Sequence, residues 1–393
     1  MISTKVDNFM KTSSSIREMF EAGNRLKVEL GEDNVHDFSI GNPVIPPPPH
    51  FFEHARELLT DTDSGMHRYM PNNGRQETRS FVAKQLNKLQ QATFEDDDIC
   101  MTVGAAGGLN ILLKSLLNEG DEVMVLAPFF PEYKAYADNH GGKIVVVKPS
   151  ADFALDFDNL ENSISSRTTA LIINSPNNPS GRVYTSEDIE KVSVVLSRHS
   201  KKLGKPIYLI SDEPYRNILF DGRTPQFITN HYDNSIIVYS YSKELGIPGE
   251  RIGYVAVSPN CVDRLPLREA LPFSNRVMGF VNAPALMQRV IPLMGDEIID
   301  IGEYENIRNT FHAFLTEIGF DLFKPQGGFF FFPKSPIEDD FEFCKIASKM
   351  NILVVPGSLF GLPSYFRISY CLKRETIEKS FPAFRQLMRT ILS

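Results

Sequence analysis

Thr169-Ala170-Leu171-Ile172-Ile173 runs directly into Asn174-Ser175-Pro176-Asn177-Asn178-Pro179-Ser180-Gly181. A short apolar, β-rich run closed by prolines, asparagines and a glycine reads as a buried strand and the turn that ends it. The same pattern of strand, loop and helical run repeats on both sides, from about residue 95 to 260. Six further strands are expected at Ile99–Val103, Glu122–Leu126, Lys143–Val147, Ile207–Ile210, Ile236–Tyr239 and Ile252–Val257. Strands that alternate with helices imply an α/β fold: a mainly parallel seven-stranded sheet sandwiched by helices.

Beyond this repeat the composition changes. Gly41-Asn42-Pro43 to Pro46-Pro47-Pro48-Pro49 excludes regular helix and central strand, because proline lacks the N–H donor and fixes φ. A boundary is placed there, with residues 1–40 read as an arm and one helix, roughly Ser14 to Leu30. Near residue 285 a long helical stretch begins. It leads to Gly327-Gly328-Phe329-Phe330-Phe331-Phe332-Pro333, a strand, then a helix at Asp339–Met350, short strands and a terminal helix. This part reads as a smaller α+β domain. The expected division is 1–48 for the arm and part of the small domain, 49–283 for the large domain and 284–393 for the small one.

The bulk numbers agree with a folded chain of more than one domain. The chain has 393 residues, 42% of them apolar, enough for a large core and two or three domains. A net charge of −8 with no long basic run argues against a nucleic-acid partner. Cys100, Cys261, Cys344 and Cys371 are scattered, with no CxxC pair and no metal-ligand spacing, so reduced thiols and no metal are expected. Met1 to Met19 lacks the apolar core of a signal peptide, and no run of about 18 apolar residues occurs. A cytoplasmic protein without a membrane span is therefore expected.

Ligands bind parallel sheets beyond the carboxyl ends of the strands, and the unusual residues fall there. Gly104-Ala105-Ala106-Gly107-Gly108 opens a helix, where small residues and free N–H groups suit a phosphate. Pro128-Phe129-Phe130-Pro131 supplies aromatic rings that can stack on a flat ligand. Asn174 to Gly181, then Ser211-Asp212-Glu213-Pro214-Tyr215, then Ser240-Tyr241-Ser242-Lys243 follow three more strands. Singly, each has an ordinary explanation: close packing for the glycines, a helix cap or turn for Asp212, a solvated charge for Lys243, a turn for the asparagines. Together they describe a site for a flat, phosphorylated, electron-withdrawing ring. A lysine amine forms an imine with an aldehyde, and a carboxylate keeps a pyridinium nitrogen protonated.

From about Phe38 to Tyr370 the chain resembles the class I/II aminotransferases of fold type I, which use pyridoxal 5′-phosphate (PLP). The strongest segment is Ser240-Tyr241-Ser242-Lys243 followed by Arg251-Ile252-Gly253, similar to the family's S-x-S-K with R-x-G eight residues later. The resemblance makes Lys243 the Schiff-base lysine, with Ser240 and Arg251 as phosphate ligands. Asn174 to Gly181 is similar to the family's N-P-x-N-P-T-G, with Ser175 as an extra spacer, and it assigns Asn178 to the cofactor's 3-oxygen and to the substrate. Asp212 and Tyr215 match D-E-x-Y. Asp212 then pairs with the pyridine nitrogen, and Tyr215 donates to the 3-oxygen. Ala105 and Ala106 fall where the family offers backbone amides, and Phe130 where an aromatic ring stacks. Tyr69 resembles the tyrosine that reaches the phosphate in a partner subunit, which implies a homodimer with interface sites. Gly41 and Arg367 resemble the glycine and arginine at the substrate carboxylate.

Arg367 can also be read from its strand. In Ser364-Tyr365-Phe366-Arg367-Ile368-Ser369-Tyr370, period-two alternation puts Phe366, Ile368 and Tyr370 on the core face and Arg367 towards solvent or a cleft. A surface arginine paired with an acid and a carboxylate fork are both open readings. One departure concerns substrate. Dicarboxylate-specific relatives carry an arginine shortly before a Ser-Asn pair, whereas Ser274-Asn275 follows Glu269-Ala270-Leu271-Pro272-Phe273, and Arg276 comes after it. The expected reaction is amino-group transfer between an L-amino acid and a 2-oxo acid, with Lys243 carrying the proton at Cα. A C–S β-lyase or decarboxylase of the same fold uses the same residues. A PLP-binding transcription regulator would carry a DNA-binding module ahead of Gly41, where only about 40 residues stand.

Overall fold

The structure is a computed structural model and describes residues 2–12, 23, 25–31, 34–60 and 65–392. Of the helix expected from Ser14 to Leu30, residues 25–30 are helical and residues 14–22 lie outside the described residues. A two-residue strand, β1 (His36–Asp37), comes first. The main sheet follows: β2 (Ile99–Thr102), β3 (Glu122–Leu126), β4 (Lys143–Val147), β5 (Thr168–Asn174), β6 (Tyr208–Glu213), β7 (Ser235–Ser240) and β8 (Gly253–Val257). Their order is β2-β8-β7-β6-β5-β3-β4. Only β8 runs against its neighbours; the other pairings are parallel.

Every residue of β2, β3, β5, β6, β7 and β8 is buried, the continuous burial of a sheet covered on both faces. Alternate residues feed two cores: Leu171 and Ile173 on one face, Ala170 and Ile172 on the other. β4 lies at the edge, where Lys143 is exposed. The helix Gly104–Leu116 lies close on β7 and β8, because Gly108 has no Cβ to meet Val238 at 2.9 Å.

The strands run further than their apolar residues suggest. β6 extends through Ser211, Asp212 and Glu213, since the ladder continues: Asn174 pairs with Asp212, and Asp212 with Val238. Asp212 therefore sits inside a strand rather than in the loop after it.

The second body contains β9 (Phe330–Phe331), β10 (Ile352–Leu353), β11 (Val355–Pro356) and β12 (Phe366–Ser369). β11, β12 and β9 form an antiparallel sheet, and β1 pairs with β10. Phe329 to Phe332 are all buried, so this strand shows no alternation. Phe38 packs between Phe311 and Phe384, so residues from both ends of the chain share one core. The expected division at 283/284 precedes the helix Ala285–Met294, whose Met287, Val290, Ile291 and Met294 belong to the core of the main sheet. Packing against the helices Pro49–Thr60 and Gln76–Leu89 holds it there. Among the described residues, no helix is long and apolar enough to cross a membrane.

Candidate active site

The carboxyl ends of β5, β6 and β7 open into a cavity of about 380 Å³. Gly41, Ala105, Ala106, Phe130, Asn178, Asp212, Tyr215, Ser240, Lys243, Arg251 and Arg367 all line it. Tyr69 does not. It is 93% exposed, on a loop tied to the segment around Asn282 by hydrogen bonds to the Met70 and Pro71 carbonyls.

The sheet sets the central carboxylate. Asn174, the last residue of β5, donates from Nδ2 to the Asp212 carbonyl at 2.8 Å. Its Oδ1 accepts the Asn178 N–H at 2.6 Å, which turns the loop so that Asn178 faces the cavity. The hydroxyl of Tyr133 donates to Asp212 Oδ2 at 2.5 Å, while Oδ1 is buried and has no hydrogen-bond partner among the described residues. Burial pushes the Asp212 carboxyl up to about 7; the Tyr133 hydrogen bond opposes this, and the neighbouring Glu213 adds to it. Behind the site, Arg216 pairs with Glu213 and donates to the Tyr254 hydroxyl at 2.9 Å.

Lys243 stands three residues beyond the end of β7, and its Nζ donates to the Gly41 carbonyl at 2.6 Å. Burial lowers its pKa to about 8; nearby Arg251 and Arg367 lower it further, while the Cys371 thiol acts in the opposite sense. At about 8 a fraction of this amine is neutral near physiological pH, far more than for an ordinary lysine, which favours a role as nucleophile or base.

An anion cradle lies at one end. Gly104 adopts φ 67, and a Cβ there would meet an Arg251 Nη at 2.8 Å. Arg251, itself at φ 53, donates to the Pro248 carbonyl at 3.1 Å and the Val103 carbonyl at 3.4 Å. With the first-turn amides at Ala105 and Ala106 and the Ser240 hydroxyl, this arrangement suits a phosphate.

At the other end Arg367 is held in an unusual way. It donates to Asn178 Oδ1 at 3.1 Å and to the Ser39 carbonyl at 2.7 Å, and its buried Nε has no partner among the described residues. Its guanidinium lies over the rings of both Phe330 and Phe360, 4.7 and 4.8 Å from their centroids. Burial lowers its pKa to about 10. Thus it faces the cavity with no acidic partner among the described residues, which argues against a surface ion pair. Arg276, by contrast, is exposed over Phe273 and does not line the cavity.

Ser39, Tyr136, Ser242 and Phe330 also line the cavity, and Tyr133 braces Asp212; none stood out in the sequence. For Tyr133 and Tyr136 a signal existed, since aromatic residues recur three apart at Phe130, Tyr133 and Tyr136.

The fold and this pocket together define an enzyme of the fold-type I class. The family model of aminotransferases of class I and II matches residues 33–383, and the chain belongs to that family. A probable aspartate aminotransferase of Methanocaldococcus jannaschii is 30% identical, covering 98% of this chain and all of its own. Aromatic-amino-acid aminotransferase 2 of Thermococcus litoralis is 29% identical, with 97% of each chain covered. A crystal structure of an aminotransferase from Eubacterium rectale superposes with a TM-score of 0.95 at 42% identity, covering all of both chains.

Proposed function

We propose that this aminotransferase binds PLP through Lys243 and moves an amino group between an L-amino acid and a 2-oxo acid. The observation that carries the reading is one cavity faced by a buried lysine amine lowered to about 8 and by a buried carboxylate oxygen without a partner. When bound, PLP supplies an aldehyde that condenses with amines and a ring that withdraws electrons from the substrate's Cα. Lys243 would hold the aldehyde carbon, Asp212 Oδ1 would accept the ring N–H, and Asn178 and Tyr215 would flank the 3-oxygen. Phe130 would stack on the ring, and the Gly104–Ala106 turn, Ser240 and Arg251 would take the phosphate. The Lys243 amine, once displaced, would take the proton from Cα and return it to the cofactor's aldehyde carbon, on the far side of the transferred nitrogen. Arg367, with Gly41 beside it, would grip the substrate's α-carboxylate and fix the orientation of the Cα–H bond.

The reading extends to assembly. A homodimer is favoured by the exposure of Tyr69, Phe273 and Val277 around the hydrogen-bonded segments 70–72 and 275–282. The four unpaired cysteines agree with a reducing compartment such as the cytoplasm.

Borohydride treatment followed by peptide mapping tests the core claim: PLP should be fixed on Lys243. Its recovery on another lysine overturns the reading. Aspartate and phenylalanine, tried separately with 2-oxoglutarate, are the first donors to assay for transfer.

A further inference from the structure

One of the contacts between the two bodies beside the active site is a short turn. The turn Gly357–Phe360 ends at Gly361, with φ 78. The Phe129 N–H donates to the Phe360 carbonyl at 2.9 Å. A Cβ on Gly361 would meet the Phe129 ring at 2.4 Å, so the absent side chain is what allows the approach. Phe129 directly precedes Phe130 of the cavity. Below the turn, Asp340 anchors Ser358 through its hydroxyl at 2.9 Å. Above it, Phe360 is 2% exposed and its ring contacts the Arg367 guanidinium, as the Phe330 ring also does.

A guanidinium without an acidic partner is normally mobile, because its long stem has many rotamers. Two ring faces restrict it to one plane and attract its charge. Phe360 thus orients the fork of Arg367, and its carbonyl fixes that fork's distance from Phe130. We propose that Phe360 is a positioning residue for substrate carboxylate binding, and that its contact with Phe129 sets the register between the carboxylate fork and the ring-stacking side. This rests on the reading of Arg367 given above.

The test uses the holoenzyme. Phe360→Leu keeps most of the volume but removes the ring face. It should raise KM for both amino and oxo acids about tenfold, change kcat less than about threefold, and leave the visible spectrum and simple amines unaffected. Gly361→Ala, which pushes on Phe129 rather than deleting a ring, should raise KM in the same direction. In a background carrying Arg367→Lys, Phe360→Leu should have no further effect on KM. An unchanged KM in Phe360→Leu, or an effect that simply adds to that of Arg367→Lys, overturns the proposal. If Arg367→Lys alone leaves KM unchanged, it is the assignment of Arg367 that fails. Should Phe360→Leu not fold, Gly361→Ala carries the same comparison.

Discussion

Asp212 must stay charged in surroundings that discourage charge. Burial raises its pKa to about 7, and Tyr133 satisfies only one of its oxygens. A cationic N–H at Oδ1 would stabilise the carboxylate, which is the electrostatic demand of the proposed chemistry. This has a consequence for stability. The folded pKa lies above the ordinary aspartate value of 3.8, so without cofactor the folded state holds more protons than the unfolded one between about pH 4 and 7. The stability tied to Asp212 is fully present below the unfolded pKa and is lost as pH rises through about 7. Melting temperatures of the cofactor-stripped wild type and Asp212→Asn, taken from pH 4 to 8, should therefore move apart, with the wild type losing ground. A gap that does not change with pH would refute the raised pKa. With cofactor bound, Asp212→Asn should stay folded but lose several orders of magnitude in rate; near-normal turnover would reduce Asp212 to a structural residue.

The helix Gly104–Leu116 begins on a glycine for two separate reasons: a positive φ and an arginine resting where a Cβ would be. Alanine at this position would strain the backbone by about 1 kcal/mol and displace Arg251. Gly104→Ala should thus weaken PLP binding at least about tenfold and pyridoxal binding much less, as equilibrium dialysis would show. Equal losses for both ligands would place the phosphate elsewhere. This element was legible in the sequence because glycine and alanine cluster directly after an apolar run. All seven strands were legible likewise, since six are buried on both faces and read as unbroken apolar runs. Their carboxyl ends were not: Ser211, Asp212 and Glu213 look like a loop, and only pairing with the neighbouring strands keeps them in β6. The aromatic spacing at Phe130, Tyr133 and Tyr136 could have drawn attention to Tyr133, but not its role, because its partner Asp212 lies 79 residues away. The aromatic clasp on Arg367 was hidden for the same reason, since Phe330 and Phe360 come from different segments that the small sheet brings together.

Across the whole molecule, the proposed catalytic and binding groups come from both bodies. Lys243 and Asp212 belong to the main sheet, while Arg367 belongs to β12, and Gly41 and Ser39 come from the segment after β1. Tyr69 does not line this cavity and is 93% exposed, which leaves it available to reach a second subunit in the proposed dimer. Mixing a Lys243→Ala subunit with a Tyr69→Phe subunit should restore activity, because hybrids contain one site with both native residues. Sedimentation as a monomer at assay concentration, or no recovery on mixing, would refute the shared site. The joining of the chain's two ends in one core also bears on synthesis. Phe38 leaves the ribosome early but packs on Phe384, which emerges near the end. At about 10 residues per second the interval is on the order of half a minute. In its last third, once Val257 has emerged, the nascent chain can complete its main sheet but not the wall that holds Arg367. A translating ribosome therefore carries a polypeptide with an exposed phenylalanine-rich surface, and a chaperone that shields aromatic side chains would have its greatest effect in that window.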